Sequence, residues 1–336
     1  MIKPESVLCP RPQGLYCAPG DFFIDPVRPV ERAVVTHGHA DHARAGHGTV
    51  VATPETLAIM EARYGADFCR HREPLKYGEG VSRDGVEVSL VPAGHVLGSA
   101  QAVVRHKGLT MVVSGDYKRR RDPTCPPFEP VACEVFITEA TFALPVFRFP
   151  PDSEEIGAFL ASVAQFPERS HILGAYALGK AQRIIRLLRE GGWDRTIHVH
   201  GALARLNELY EAHGIDLGPL APATEKGGKD FAGAIIIAPP SALADRWSRR
   251  FPDPVTAFAS GWMRVRARAR QRAVELPLVI SDHADWDELT ATVAEVRPGQ
   301  LWITHGREEA LARWAELNGF AARALALVGY EEEEGE

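Results

Sequence analysis

The sequence predicts an α/β protein. One discontinuous domain is built from both ends of the chain, and a second α/β module is inserted between them. Three observations carry this reading. Through residue 150 the apolar runs are short, rich in β-branched residues and separated by turn residues, with little helical periodicity. From Pro150 onward strand and helix patterns alternate, as in a parallel sheet covered by helices. Metal-binding side chains recur where apolar strand runs end, which is where α/β layer folds form their sites.

Residues 1–20, rich in Pro, Gly and Cys, read as an extended lead-in. Phe22-Phe-Ile24 is a short strand ending at Asp25-Pro26, and Ala33–Thr36 and Val50–Ala52 are the next two. Pro54 opens an amphipathic helix to about Arg63, with Leu57, Ile59 and Met60 as its apolar face. Val86–Val91 alternates like a half-buried strand. Ala102–Arg105 and Thr110–Val113 flank the turn Lys107-Gly108 as a hairpin, and Val135–Thr138 closes this half. The insert reads as helix 152–166, strand 171–175, helix 178–190, strand 196–199, helix 203–212 and strand 234–238. The chain then returns to its first texture with strand 278–281, helix 286–294, strand 301–304, helix 308–318 and strand 324–328. The expected domains are 1–150 with 276–330, and 151–275; the acidic tail 331–336 is expected to be disordered.

Composition bounds the function. A hydrophobic fraction of 45% in 336 residues supports two compact lobes, and no apolar run approaches a membrane span. The N-terminus lacks a charged segment, apolar core and cleavage site in series, so a cytoplasmic protein without a membrane partner is expected. The five cysteines, Cys9, Cys17, Cys69, Cys125 and Cys133, include no C-x-x-C pair and read as reduced thiols. A net charge of −6 argues against a generally basic surface. Two basic clusters stand out, Lys118–Arg121 and the alternating Arg264, Arg266, Arg268, Arg270 and Arg272; each is either a solvated face or a path for a phosphate backbone.

The densest chemical signal is Thr36-His37-Gly38-His39-Ala40-Asp41-His42, directly after a strand. His37 and His39, two apart, can reach one point, and Asp41 and His42 can aim at a second one nearby. Imidazole with carboxylate suits zinc, manganese or iron rather than calcium or magnesium. Three further strand ends carry the same residue types. His95 lies between Gly94 and Gly98, Asp116 follows Ser114-Gly115, and His305 follows Trp302-Ile-Thr. In the insert, Gly174-Ala-Tyr176-Ala-Leu-Gly179-Lys180 runs from a strand into a helix, so backbone N–H groups and a lysine meet where a phosphate is welcome. Ser241 sits at a similar strand end.

The pattern His-x-His-x-Asp-His, then His95, then Asp116, resembles the metallo-β-lactamase fold, an αββα sandwich with a dinuclear metal site on one edge. The insert, flanked by Thr138-Glu139-Ala-Thr141 before it and by Ser281-Asp-His283 and His305 after it, resembles the β-CASP nuclease subgroup. That subgroup includes Artemis-like DNA repair nucleases and the pre-mRNA 3′-end processing endonuclease. The length and the lead-in Gly14-Leu-Tyr-Cys-Ala-Pro-Gly-Asp-Phe-Phe-Ile-Asp look most like the bacterial DNA ligase-associated exonucleases.

The resemblance implies two Zn2+ ions, or Mn2+ in their place. His37, His39 and His95 would hold one, Asp41, His42 and His305 the other, and Asp116 would bridge them, with Asp25 orienting a ligand imidazole. It implies His283 as the acid that protonates the leaving oxygen, Glu139 as the partner of its other nitrogen, and Asp41 as a catalytic carboxylate. It also makes Tyr176, Gly179 and Lys180 candidates for phosphate or nucleic-acid contact, and Ser241, at its strand end, could line the same cleft. Phe142 stands where relatives often carry Tyr. The implied activity is a DNA exonuclease in repair, working beside a DNA ligase and other repair proteins. RNA processing is the alternative, since His305 resembles the RNA branch and Ser281-Asp282-His283 the DNA branch. A catalytically silent nucleic-acid-binding scaffold is a third reading.

Overall fold

The computed structural model describes residues 2–224 and 231–327. The described residues within Met1–Pro145 and His283–Glu333 form one compact unit, and those within Val146–Asp282 form a second.

The first unit holds two sheets. One contains β1 (Leu8–Arg11), β2 (Gly14–Cys17), β3 (Phe22–Ile24), β4 (Arg32–Val34), β5 (His47–Ala52) and β6 (Cys69–Pro74), paired in that order. It starts as an antiparallel meander and becomes parallel from β3 onward. The other contains β7 (Gly80–Arg83), β8 (Val86–Pro92), β9 (Ala100–His106), β10 (Leu109–Val113) and β11 (Val135–Ala140), with β18 (Gln300–Gly306) and β19 (Ala322–Ala324) from the far end of the chain. Its strand order is β19-β18-β11-β10-β9-β8-β7. The chain's two ends therefore meet where β18 lies parallel to β11.

The sheets stack face to face. Leu15, Phe22, Ile24, Val34 and Val51 of the first interdigitate with Val88, Leu90, Val104, Met111, Ile137 and Trp302 of the second. Helix α1 (Pro54–Tyr64) covers the outer face of the first sheet through Leu57 and Met60, against Ala33, Val50 and Ala52. Helices α6 (Trp286–Val296) and α7 (Glu308–Leu317) cover the outer face of the second, setting Leu289, Val293, Leu311 and Ala315 on Val103, Val112, Phe136 and Leu301. The result is an αββα sandwich.

The second unit carries one sheet of parallel strands: β12 (His171–Gly174), β13 (Ile197–Val199), β14 (Leu220–Pro222), β15 (Ile235–Ala238), β16 (Val255–Ala259) and β17 (Leu276–Leu278), ordered β14-β13-β15-β12-β16-β17. Its helices are α2 (Asp152–Gln165), α3 (Lys180–Glu190), α4 (Gly201–Ala212) and α5 (Arg266–Arg272). The fully buried run Ile235-Ile-Ile-Ala238 is what a strand covered on both faces requires.

Several expectations need correction. Residues 8–17 form a hairpin rather than a lead-in, with Leu8, Leu15 and Cys17 buried and Pro10 on the edge strand, where its missing N–H costs no ladder bond. Strands β6 and β7 gave no sequence signal, because Cys69-Arg-His-Arg-Glu-Pro74 and Gly80-Val-Ser-Arg83 lie at sheet edges and bury little. The strand expected at 278–281 lies at Leu276–Leu278, and the one expected at 324–328 lies at Ala322–Ala324. The tail 331–336 falls outside the described residues.

Candidate metal centre

The histidine motif occupies the loop after β4, and its neighbours are arranged before any ion is considered. Asp25 follows β3 in left-handed backbone (φ 44°), a conformation Asp tolerates better than most residues. Its Oδ1 accepts the Thr36 N–H at 2.7 Å, while Oδ2 accepts the Thr36 hydroxyl at 2.6 Å and lies 2.8 Å from His42 Nδ1. One buried carboxylate thus fixes both the start of the motif and the ring of its last histidine. The Thr36 hydroxyl lies 3.1 Å from His37 Nδ1. With their Nδ1 atoms engaged, His37 and His42 turn Nε2 toward a common centre.

Asp116 occupies that centre and is 5% exposed. Its Oδ2 is 3.5 Å from His37 Nε2 and 3.4 Å from His42 Nε2, and its Oδ1 is 3.6 Å from His305 Nδ1. His39 Nδ1 lies 3.1 Å from His37 Nε2 and 3.0 Å from His95 Nε2. The loop that brings His95 in depends on Gly98 (φ 79°), where a Cβ would stand 2.7 Å from the Thr56 backbone nitrogen. His305 closes the cluster from the end of β18, also in left-handed backbone (φ 57°). Such strained backbone at two cluster residues matches the usual placement of strain at functional sites.

The buried imidazoles and carboxylates set one another's charge. Burial drives the His37 imidazole well below its ordinary pKa, and the neighbouring His42 adds to the effect. Burial also opposes charge on His42, but Asp116, Asp41 and Asp25 overcome it and hold that ring well above the ordinary range. Asp116 is held well below the usual carboxylate range by His42 and His283, against its own burial. Asp41 is lowered despite burial, chiefly by His42. Asp41 Oδ2 is 3.5 Å from His42 Nε2, and its Oδ1 is buried without a hydrogen-bond partner among the described residues.

Among the groups of ligand atoms that lie within 4.8 Å of one another are His37, His39, His95 and Asp116, and His42, Asp116 and His305. Asp116 belongs to both. Nitrogens bound tetrahedrally to zinc at about 2.0–2.1 Å would lie about 3.3 Å apart. The spacings of 3.0–3.5 Å for His37–His39, His39–His95 and His37–Asp116 suit that arrangement, and His95–Asp116, at 3.9 Å, is looser. Hydrogen bonds alone do not explain them, because His39 Nδ1 faces two other imidazole nitrogens and a neutral ring nitrogen is either donor or acceptor. The residues therefore fit a divalent ion, and the shared carboxylate fits a second.

Glu139 and His283 stand beside this cluster. His283 Nδ1 is 2.9 Å from Glu139 Oε2, while Glu139 Oε1 accepts the Tyr117 N–H at 2.7 Å and Oε2 also accepts the Thr141 hydroxyl at 2.6 Å. Asp116, Glu139 and His283 are themselves close enough to share an ion. Phe142 meets the His283 ring edge-on at 6.1 Å.

The remaining candidates lie in the second unit. Lys180, 5% exposed, is 3.0 Å from Asp282 and stands 4.6 Å over the Tyr176 ring. The Gly179 N–H donates to Gln182 Oε1 at 2.8 Å. A phosphate at this helix start would share Lys180 with Asp282. Ser241 is exposed in the turn Pro240–Leu243 after β15.

Sequence reasoning missed Thr36 as a positioning group, although it heads the motif. It also misplaced the Lys118 cluster. Lys118 is buried against Glu288, Arg119 pairs with Glu295 at 2.6 Å and Arg120 with Asp285 at 2.8 Å, so these charges are matched by acids of α6 and its N-cap. The second cluster is different: Arg264, Arg266, Arg270 and Arg272 are exposed, and Arg268 stacks on Trp262 at 4.1 Å.

No family model matches the chain. A protein named "Probable DNA ligase" from Opitutus terrae is 30% identical over 318 residues, covering 90% of this chain and 30% of that protein. The "Cleavage and polyadenylation specificity factor subunit 3" of Dictyostelium discoideum is 33% identical over 122 residues, covering 35% of this chain and 16% of that protein. The "Endoribonuclease ysh1" of Aspergillus fumigatus is 33% identical over 110 residues, covering 31% of this chain and 12% of that protein. The chain thus spans at most 30% of the length of these curated relatives. Among solved structures, a protein of unknown function from Enterococcus faecalis V583 superposes with a TM-score of 0.58 at 16% identity, covering 88% of this chain and 79% of that one, which is a likeness of fold. Two helix-covered sheets with metal-type side chains at their strand ends, and a parallel α/β module between β11 and β18, give the chain the αββα metallo-β-lactamase fold with a β-CASP-like insert.

Proposed function

We propose that the protein is a metal-dependent phosphodiesterase that cleaves nucleic acid, acting as an exonuclease on DNA ends. The observation that carries this is the juxtaposition of a two-group ligand cluster sharing Asp116 with an imidazole held by a carboxylate, His283 on Glu139. His37, His39, His95 and Asp116 would hold one zinc or manganese, and Asp41, His42, His305 and Asp116 a second, with Asp25 orienting His42. Ions bound there would neutralise a phosphoryl oxygen and acidify water near neutral pH. The chain's own contribution is the proton. Glu139 engages Nδ1 of His283 and favours the imidazolium, so Nε2 is the atom that donates to the departing oxygen. Asp41, whose buried Oδ1 has no hydrogen-bond partner among the described residues, would accept a proton from the attacking water.

The relative named a DNA ligase supports DNA and a place beside ligation and other repair proteins, since it matches nearly the whole chain. The matches to a polyadenylation factor and an endoribonuclease support RNA as the alternative substrate, over about a third of the chain. Tyr176, Gly179, Lys180 and Ser241 are read as end-binding groups, with Asp282 sharing the lysine's charge. Incubation with matched DNA and RNA strands, 5′- or 3′-labelled, tests the assignment. Stepwise shortening of DNA is expected. Preferential internal cleavage of RNA would transfer the protein to the alternative, and no cleavage of either with zinc or manganese would defeat the proposal.

A further inference from the structure

Lys118 lies two residues after Asp116, and its ammonium is 1% exposed. Charged lysines are rarely buried unless their hydrogens find strong acceptors. Here Nζ donates to Glu288 Oε2 at 2.9 Å and to the backbone carbonyl of His283 at 2.9 Å. The next residue is held as well: the Ala284 N–H donates to the Tyr117 carbonyl at 2.7 Å. The peptide between His283 and Ala284 is thus gripped at its carbonyl by Lys118 and at its N–H by Tyr117. The same segment reaches the imidazole by another route, since the Tyr117 N–H holds the Glu139 carboxylate that contacts His283 Nδ1. Glu288 is in turn fixed by the N–H groups of Arg120 and Asp285, at 2.7 and 2.9 Å. Buried ion pairs are often no more stabilising than apolar side chains of the same volume. What this one supplies is a directed donor at one carbonyl.

We propose that Lys118 is a positioning residue for His283, clamping the backbone under the imidazole so that its proton reaches the leaving oxygen. This rests on reading His283 as the leaving-group acid. A positioning role leaves a signature that a merely structural role does not. An acid matters for a substrate whose leaving group is a sugar alkoxide, and hardly matters for one that leaves as p-nitrophenolate, which needs no proton.

The test compares an oligodeoxynucleotide with bis(p-nitrophenyl) phosphate. Lys118→Met is made together with Glu288→Gln, so that no carboxylate is left buried without its partner. The pair is expected to lower kcat on the oligonucleotide by roughly 10- to 100-fold at nearly unchanged KM, and on the nitrophenyl diester by less than about threefold. Metal content should not change, and adding the pair to His283→Ala should cost little more. Equal losses on both substrates, no loss on either, or a fully additive loss on His283→Ala would overturn the role of Lys118. If His283→Ala alone lost equally on both substrates, the acid reading itself would fail, and this proposal with it. A selective loss for His283→Ala and none for the Lys118 pair would overturn Lys118 alone. Should the pair fail to fold, Lys118→Gln, which keeps a shorter donor, is read in the same way.

Discussion

Asp25 and His283 show how much of this site depends on residues that touch other residues. Asp25 accepts two hydrogen bonds from Thr36 and contacts His42 Nδ1, so one carboxylate sets both the loop and a ring. Asp25→Ala is therefore expected to weaken metal retention by roughly 10- to 100-fold, as loss of a ligand's supporting partner does, measured by competition with a chelator. Unchanged affinity would return Asp25 to an ordinary Asp-Pro turn. For His283→Ala the expectation is the reverse: metal content is kept, while cleavage of nucleic acid falls by at least ~100-fold. Wild-type turnover would place the acid elsewhere. The cluster residues were legible because His37, His39, His95, Asp116 and His305 all follow apolar strand runs. Thr36 and Lys118 were not, because a hydroxyl or an ammonium announces its partner only in three dimensions.

Helix α1 illustrates what an element contributes. The Thr53 hydroxyl accepts the Thr56 N–H at 3.1 Å as N-cap and donates to the Gly98 carbonyl at 2.7 Å, so the helix start also ties down the loop that carries His95. Thr53→Ala is expected to cost about 1–2 kcal/mol in chemical unfolding, the usual loss for a cap. It should also loosen metal binding through His95. A stability loss with untouched metal affinity would separate the helix from the site. Most of the long helices and several buried strands of this chain were readable from periodicity, Pro54 at a helix start and the Ile235–Ile237 run being plain cases, while helix α5 and the bounds of strand β16 were not read. Edge strands were less readable. β6 exposes most of its side chains and so lacks the apolar pattern that marks a strand, while β17, three residues long with a proline in the middle, was read two residues too late.

At the scale of the whole molecule, a net charge of −6 coexists with an exposed arginine helix. Arg266 and Arg270 form a like-charged i,i+4 pair, which costs stability unless an anion answers it. Arg264, Arg266 and Arg270, changed together to Gln, are expected to flatten the salt dependence of single-stranded DNA binding. The slope of log K against log salt should fall by about two if all three meet phosphates. An unchanged slope would make the helix a solvated face. The domain-level pattern was legible because a strand-rich texture gives way near Pro150 to regular alternation. The pairing of β11 with β18 across 159 intervening residues (141–299) was implied only by the order of motifs.

The central claim is that Asp116 joins two ligand groups into one metal centre that cleaves phosphodiesters. It is tested most directly by stripping the protein with a chelator and titrating zinc or manganese back, while metal bound per chain and cleavage of labelled DNA are followed together. Activity is expected to vanish on stripping and to return as about two ions bind per chain, whereas Asp116→Ala should lose most of both ions and the activity with them. Full cleavage by the stripped, folded protein, or a folded protein that binds no metal, would contradict it.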